Sequence, residues 1–281
     1  QYNPSLQQSI FGALNPPSNQ ILDHLGYIVK VITKQNTQAR SKSKSTYPSF
    51  LRLLFRNKLP SFVEWASLRG KIMKALNAIG QIYRQFRITQ YLPLTELQST
   101  LVELVHEPTG ARVMHIVNDD QENLFALSFQ TLPDSSNGVA HILEHTVLCG
   151  SKKFPIKDPF FAMTRRSLNT YMNALTGQDF TCYPASSLVE KDFYNLLEVY
   201  LDAVFHPNLR KESFLQEGHR LAFAEPENKS SPLTFQGIVY NEMKGAMNSP
   251  DSRLSKILGS LLTPDLTYAH NSGGEPEEIP N

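Results

Sequence analysis

Apolar positions along this chain follow helical spacing in some stretches and strand spacing in others. From Trp65 onward Leu68, Ile72, Leu76, Ile79, Tyr83 and Phe86 recur at steps of three and four, with Arg69, Lys71, Lys74, Arg84 and Arg87 between them. That spacing predicts a basic amphipathic helix. Residues 100–105, 112–117 and 124–129 form short β-rich runs, and Pro108-Thr109-Gly110 between the first two predicts a hairpin turn. Helical spacing then returns at Val139, Ile142, Leu143 and Val147. The polar run Asp134-Ser135-Ser136-Asn137 offers N-cap oxygens before this helix, and Gly150 suits the position beyond its end. After a loop punctuated by Pro155 and Pro159, further helices are predicted over residues 160–168, 188–205 and 211–218. The second of these runs through Phe193, Leu196, Leu197, Tyr200, Leu201 and Val204 and stops before Pro207.

Composition narrows the class. The chain is 41% hydrophobic and 19% charged, and no uninterrupted apolar run approaches the ~18–20 residues of a membrane span. No transmembrane segment is predicted. Two cysteines, Cys149 and Cys182, do not make a disulfide framework, and a reducing compartment is expected. The near-neutral total hides an asymmetry: residues 1–87 carry thirteen Lys and Arg against only Asp23 and Glu64, while the remainder holds fourteen basic and twenty-four acidic residues. A basic, acid-poor, Ser-containing leader has the character of an organellar targeting segment. Residues 1–72 also read as upstream read-through, because no methionine precedes Met73. No nucleic-acid partner is expected.

The stretch 138–150 carries the chemistry. On a helix at about 100° per residue, His141 and His145 project from one face, where two imidazole nitrogens can reach a single ion. Glu144 lies on the same side, while Val139, Ile142, Leu143 and Val147 fall roughly opposite and can be buried. The order His-x-x-Glu-His is that of the inverzincin zinc peptidases. A catalytic zinc takes three protein ligands and leaves a fourth position open, so a third donor must come from elsewhere. Glu144 is placed to act as general base. Spacing alone leaves Glu212 and Glu217 as competitors for the third ligand. Cys149, four residues after His145, offers an alternative donor or a redox-sensitive thiol, although a packed small side chain is the preferred reading.

The segments HILEHTVLCG (141–150) and SKKFPIKDPFF (151–161), followed by SLNTYMNALTGQDFTCYP (167–184), FQGIVYNEMKGA (235–246) and SGGEPEEIPN (272–281), resemble the presequence proteases. These belong to the pitrilysin and insulin-degrading-enzyme group of zinc metalloendopeptidases. The resemblance runs from about Leu92 to the end and implies an α+β domain in which helices cover a mainly antiparallel sheet. It implies Zn2+ held by His141, His145 and Glu242, with Glu144 as the catalytic base. It also implies an edge strand around Asn173 and Ala174 to which a peptide adds, although Leu175 stands where the family has an aromatic. The expected division is a basic leader (1–72), an amphipathic helix and linker (73–91), and an N-terminal peptidase domain (92–281) truncated at its C-terminal end. The expected partners are unfolded peptides, such as cleaved targeting presequences, and further domains of the same chain or a partner chain. The matching compartment is the mitochondrial matrix or plastid stroma, or the cytoplasm in a bacterium. A noncatalytic peptide-binding or assembly homologue, and one half of a two-chain peptidase, are the alternatives.

Overall fold

The strand runs of the sequence assemble into one large sheet. The computed structural model describes residues 25–33, 79–83 and 85–281. The strands are β1 (Leu25–Thr33), β2 (Ile82–Tyr83), β3 (Phe86–Leu94), β4 (Ser99–His106), β5 (Arg112–Asn118), β6 (Asn123–Gln130), β7 (Asn169–Met172), β8 (Leu175–Thr176) and β9 (Phe180–Ser187). They form a nine-stranded sheet in the order β2-β3-β4-β5-β1-β6-β9-β7, with β8 also pairing β9. All the pairings are antiparallel except β1 with β5. A separate hairpin joins β10 (Arg220–Phe223) and β11 (Leu233–Gln236). The helices are α1 (Val139–Val147), α2 (Pro159–Arg166), α3 (Glu190–Phe205), α4 (Lys211–Glu217), α5 (Ile238–Ala246) and α6 (Pro250–Leu262). The α+β class and its mainly antiparallel sheet match the expectation.

The core lies where α3 crosses the sheet. Alternation along β6 buries Phe125 and Leu127 against Tyr183 and Ala185 of β9 and Phe193, Leu196, Tyr200 and Leu201 of α3, and Val147 of α1 joins them. Phe125 meets Phe193 and Tyr200 edge-on, at centroid distances of 5.6 and 5.3 Å. A second cluster matters more for function. Ile142 of α1, Val239 and Met243 of α5, and Ile279 pack together, so the first and fifth helices are held against one another by apolar contact. Helix α1 therefore divides its buried residues between two cores and keeps its histidine face for their junction.

Three local features differ from the sequence reading. The predicted amphipathic helix does not extend through residues 79–87: Ile79 and Gly80 form a turn, and β2 and β3 follow. Here pairing of β3 with β4 along the whole strand, and burial of Ile88, outweigh a spacing that is compatible with a helix. The part of that prediction over residues 65–78 lies outside the described residues. The stretch 25–33, read as part of a leader, supplies β1 between β5 and β6. The N-cap of α1 is Gly138, at φ 71°, and not a polar side chain, although Asn137 Oδ1 accepts from the Val139 amide at 3.3 Å. Among the described residues no helix is long and apolar enough to cross a membrane.

Candidate metal centre

One turn of α1 separates His141 from His145, and their rings stand 5.0 Å apart at 76°. Glu242 comes from α5, across the Ile142–Val239–Met243 contact. Its Oε2 lies 3.8 Å from Nε2 of each histidine. One donor atom from each of the three residues falls within 4.8 Å of the others. Tetrahedral ligands at about 2.0–2.1 Å from zinc sit about 3.3 Å apart, so the set is roughly half an ångström too open on its Glu242 side. The Glu242 side chain is 53% exposed and free to close that gap.

The outer contacts fit a metal as well. His145 Nδ1 lies 3.1 Å from Glu217 Oε2, and His141 Nδ1 lies 3.0 Å from the Gly273 carbonyl oxygen. Both partners accept hydrogen bonds, so each Nδ1 carries a proton and each Nε2 presents its lone pair towards Glu242. Carboxylate or carbonyl groups behind ligating histidines are the usual means of fixing the tautomer and raising basicity. Burial lowers the His145 pKa, but the hydrogen bond to Glu217 and the charges of Glu144, Glu217 and Glu242 outweigh it and hold the group above the ordinary histidine value. The same contacts act on Glu217. Burial raises its pKa, and hydrogen bonds from His145 and Gln216, with the His145 charge, bring it below the usual carboxylate range.

Glu144 stands beside this trio and is buried. Thr176 Oγ1 donates to its Oε2 at 2.6 Å, joining it to β8 at the sheet edge. Among the described residues strands β7 and β8 pair with β9 on one side only, so residues 169–176 form the rim of the sheet. At the break between them, the Asn173 amide donates to the Pro184 carbonyl at 3.1 Å. The Asn173 carbonyl accepts from Tyr200 Oη at 3.2 Å. An open cleft of about 580 Å³ is lined by His141, Glu144 and His145, by Asn173 to Thr176, by Phe160 and Phe161, and by Glu217, Glu242 and Gly273.

The structure thus brings together His141, His145, Glu144 and Glu242, with Asn173 and Ala174 on the wall of the same cleft. Of the competing carboxylates, Glu217 lies behind His145 and Glu212 is exposed in the first turn of α4. Cys149 is near Glu217 and Asp158, the second group of potential donors among the described residues. Burial, followed by the charges of Glu217 and Asp158, pushes its thiol up to about 12. Two contacts escaped the sequence reading: Thr176 on Glu144, and the Gly273 carbonyl on His141. No spacing within the chain signals either of them.

Residues 132–236 match the family model Insulinase (Peptidase family M16). It is 52% identical over 204 residues to a mitochondrial presequence protease of Xenopus tropicalis, covering 73% of this chain and 20% of that protein. It is 50% identical over 202 residues to the mitochondrial presequence protease of Mus musculus, covering 72% and 20%. Protein HypA of Clostridium perfringens is 48% identical over 204 residues, covering 72% and 21%. The chain spans about a fifth of the length of these relatives. Among solved structures, the crystal structure of pitrilysin aligns at a TM-score of 0.47 and 21% identity, covering 68% of this chain and 19% of that one.

Proposed function

We propose that this chain carries the metal-binding part of a zinc metalloendopeptidase that degrades short unfolded peptides, among them cleaved targeting presequences. His141, His145 and Glu242 hold the ion. The observation that carries the reading is the convergence of two Nε2 lone pairs from α1 and one carboxylate from α5, with a buried glutamate alongside. When bound, zinc supplies Lewis-acid chemistry, polarising a scissile carbonyl and acidifying water. Glu144 takes the proton of the attacking water and passes it to the leaving amine. Thr176 holds the Glu144 carboxylate in place through one oxygen. The rim at Asn173 and Ala174 aligns the peptide as an added strand running past Glu144.

The remainder of a complete enzyme comes from further domains of a longer chain or from a partner chain, consistent with the fraction of its relatives that this chain spans. The division into a leader, a linker and a peptidase domain belongs to this reading, with β1 drawn into the sheet from the leader. The mitochondrial matrix or plastid stroma is the compartment proposed for a eukaryotic source, two of the relatives being named mitochondrial, and the cytoplasm for a bacterial one.

The test is made on the full-length protein, by measuring bound zinc and cleavage of an unstructured peptide. Glu144→Gln is expected to keep its zinc and lose about 10²–10⁴-fold in rate. Equal cleavage by both forms would reject Glu144 as the base. Full zinc occupancy in Glu242→Ala would reject the third ligand.

A further inference from the structure

His141 is held from behind by a segment far away in the chain, and that segment has an anchor of its own. Ser136, two residues before the cap of α1, spends all of its polar groups on residues 271–278. Its hydroxyl accepts from the Asn271 amide at 3.0 Å, and its carbonyl accepts from the Glu275 amide at 2.7 Å. Its amide donates to Glu278 Oε2 at 3.1 Å. Asn271 then shapes the turn that carries Gly273: its Oδ1 accepts from the Gly273 amide at 3.1 Å, and its Nδ2 donates to Glu275 Oε1 at 2.6 Å. The two backbones pass so closely that a Cβ on Gly138 would stand 3.0 Å from both the Gly273 oxygen and the Gly274 Cα. Ile279, fully buried against Ile142, Val239 and Met243, pins the far end.

We propose that Ser136 and Asn271 are positioning residues for the metal centre. Together they set the Gly273 carbonyl against His141 Nδ1, and so fix the tautomer and the plane of the imidazole whose Nε2 faces Glu242. The inference rests on the zinc reading above. It goes beyond that reading by assigning ligand geometry to residues that touch neither metal nor peptide. If the carbonyl drifts, His141 is free to carry its proton on Nε2, and that tautomer offers no lone pair on the nitrogen that faces Glu242.

The experiment compares the full-length protein with Ser136→Ala and Asn271→Ala by competition against a zinc chelator. Thermal unfolding is followed in the zinc-loaded and chelator-treated forms. Each variant is expected to bind zinc about tenfold or more weakly, within the range for loss of a group that orients a ligand. The gap in Tm between the two forms is expected to narrow accordingly. Ser136→Thr, which restores the hydroxyl acceptor, is expected to recover most of the affinity. A purely structural role would lower both Tm values in parallel and leave the zinc Kd unchanged, and that result would overturn the proposal. Should the alanine variants fail to fold, ¹⁵N NMR of histidine-labelled, metal-free unaltered protein decides: His141 protonated on Nδ1 supports the proposal, and protonation on Nε2 overturns it. Absence of zinc from the unaltered protein would instead sink the metal reading itself, and this inference with it.

Discussion

Replacing Glu217 removes the carboxylate behind His145 without touching a proposed ligand. The contact is a 3.1 Å hydrogen bond between His145 Nδ1 and Glu217 Oε2, with the carboxylate buried. A hydrogen bond to a charged group contributes about 1.5–3 kcal/mol. At about 1.4 kcal/mol per factor of ten, its loss in Glu217→Ala corresponds to roughly 10–100-fold weaker zinc binding, the range seen for partners behind metal ligands. Glu217→Gln keeps an acceptor and loses the charge, so it is expected near the low end, about tenfold. One effect runs the other way: Glu217 helps to raise the His145 pKa, so removing it reduces competition from protons. Measuring zinc affinity over a range of pH separates that contribution, which fades as pH rises. Competition of the full-length protein with a chromophoric chelator gives the Kd directly. If both variants stay within about twofold of the unaltered protein, Glu217 does not tune His145 and the outer part of this site has been misread.

Three further outcomes follow from neighbouring groups. With its thiol pushed up to about 12, Cys149 has a thiolate fraction on the order of 10⁻⁴ at pH 8. Alkylation by iodoacetamide, followed by mass spectrometry, is therefore expected to run on the order of a thousandfold slower in the folded than in the denatured chain, and equal rates would contradict it. Tyr200→Phe leaves the Asn173 carbonyl without its 3.2 Å donor beside the sheet rim, at about 1–3 kcal/mol; weaker peptide binding at unchanged zinc content is expected, and calorimetry with an unstructured peptide checks it. Burial lowers the pKa of His106 and His219, and among the described residues His219 Nε2 has no hydrogen-bond partner. The unfolded chain therefore binds more protons than the folded one as pH falls through about 6.5, so these two groups make stability decline in that direction. Denaturant midpoints measured between about pH 8 and pH 5 test the sign, and His219→Gln is expected to flatten the slope.

Much of the fold was legible because the signals were local. The turn at Pro108-Thr109-Gly110 and the alternation around Phe125 and Leu127 determine β4, β5 and β6 within a residue or so. The spacing of Phe193, Leu196, Tyr200 and Leu201 does the same for α3. The structure added what the sequence did not signal where local preference was ambiguous and a distant partner decided. The run Leu25–Thr33 is rich in Ile and Val, as a strand should be, but sits inside a basic stretch whose charge balance argued for a leader; its backbone partners, β5 and β6, lie far along the chain. Ile79, Tyr83 and Phe86 fit a helical stripe by spacing, and the strand partner at 99–106 overrides it.

The candidate metal site divides along the same line. His141, Glu144 and His145 share a single helix, so their relative placement follows from helical geometry and needed no fold. Glu242 is different: its distance along the chain obeys no period, and carboxylates such as Glu217 were equally eligible on spacing. What separates the two is packing. Val239 and Met243 seat α5 against Ile142 and point Glu242 at both Nε2 atoms, whereas Glu217 at the end of α4 arrives on the Nδ1 side of His145. Apolar residues of that kind occur on every helix among the described residues, so they could not announce which carboxylate they would deliver. The resemblance to a known motif singled out Glu242, and the contact between two helices is what brings it towards the two histidines.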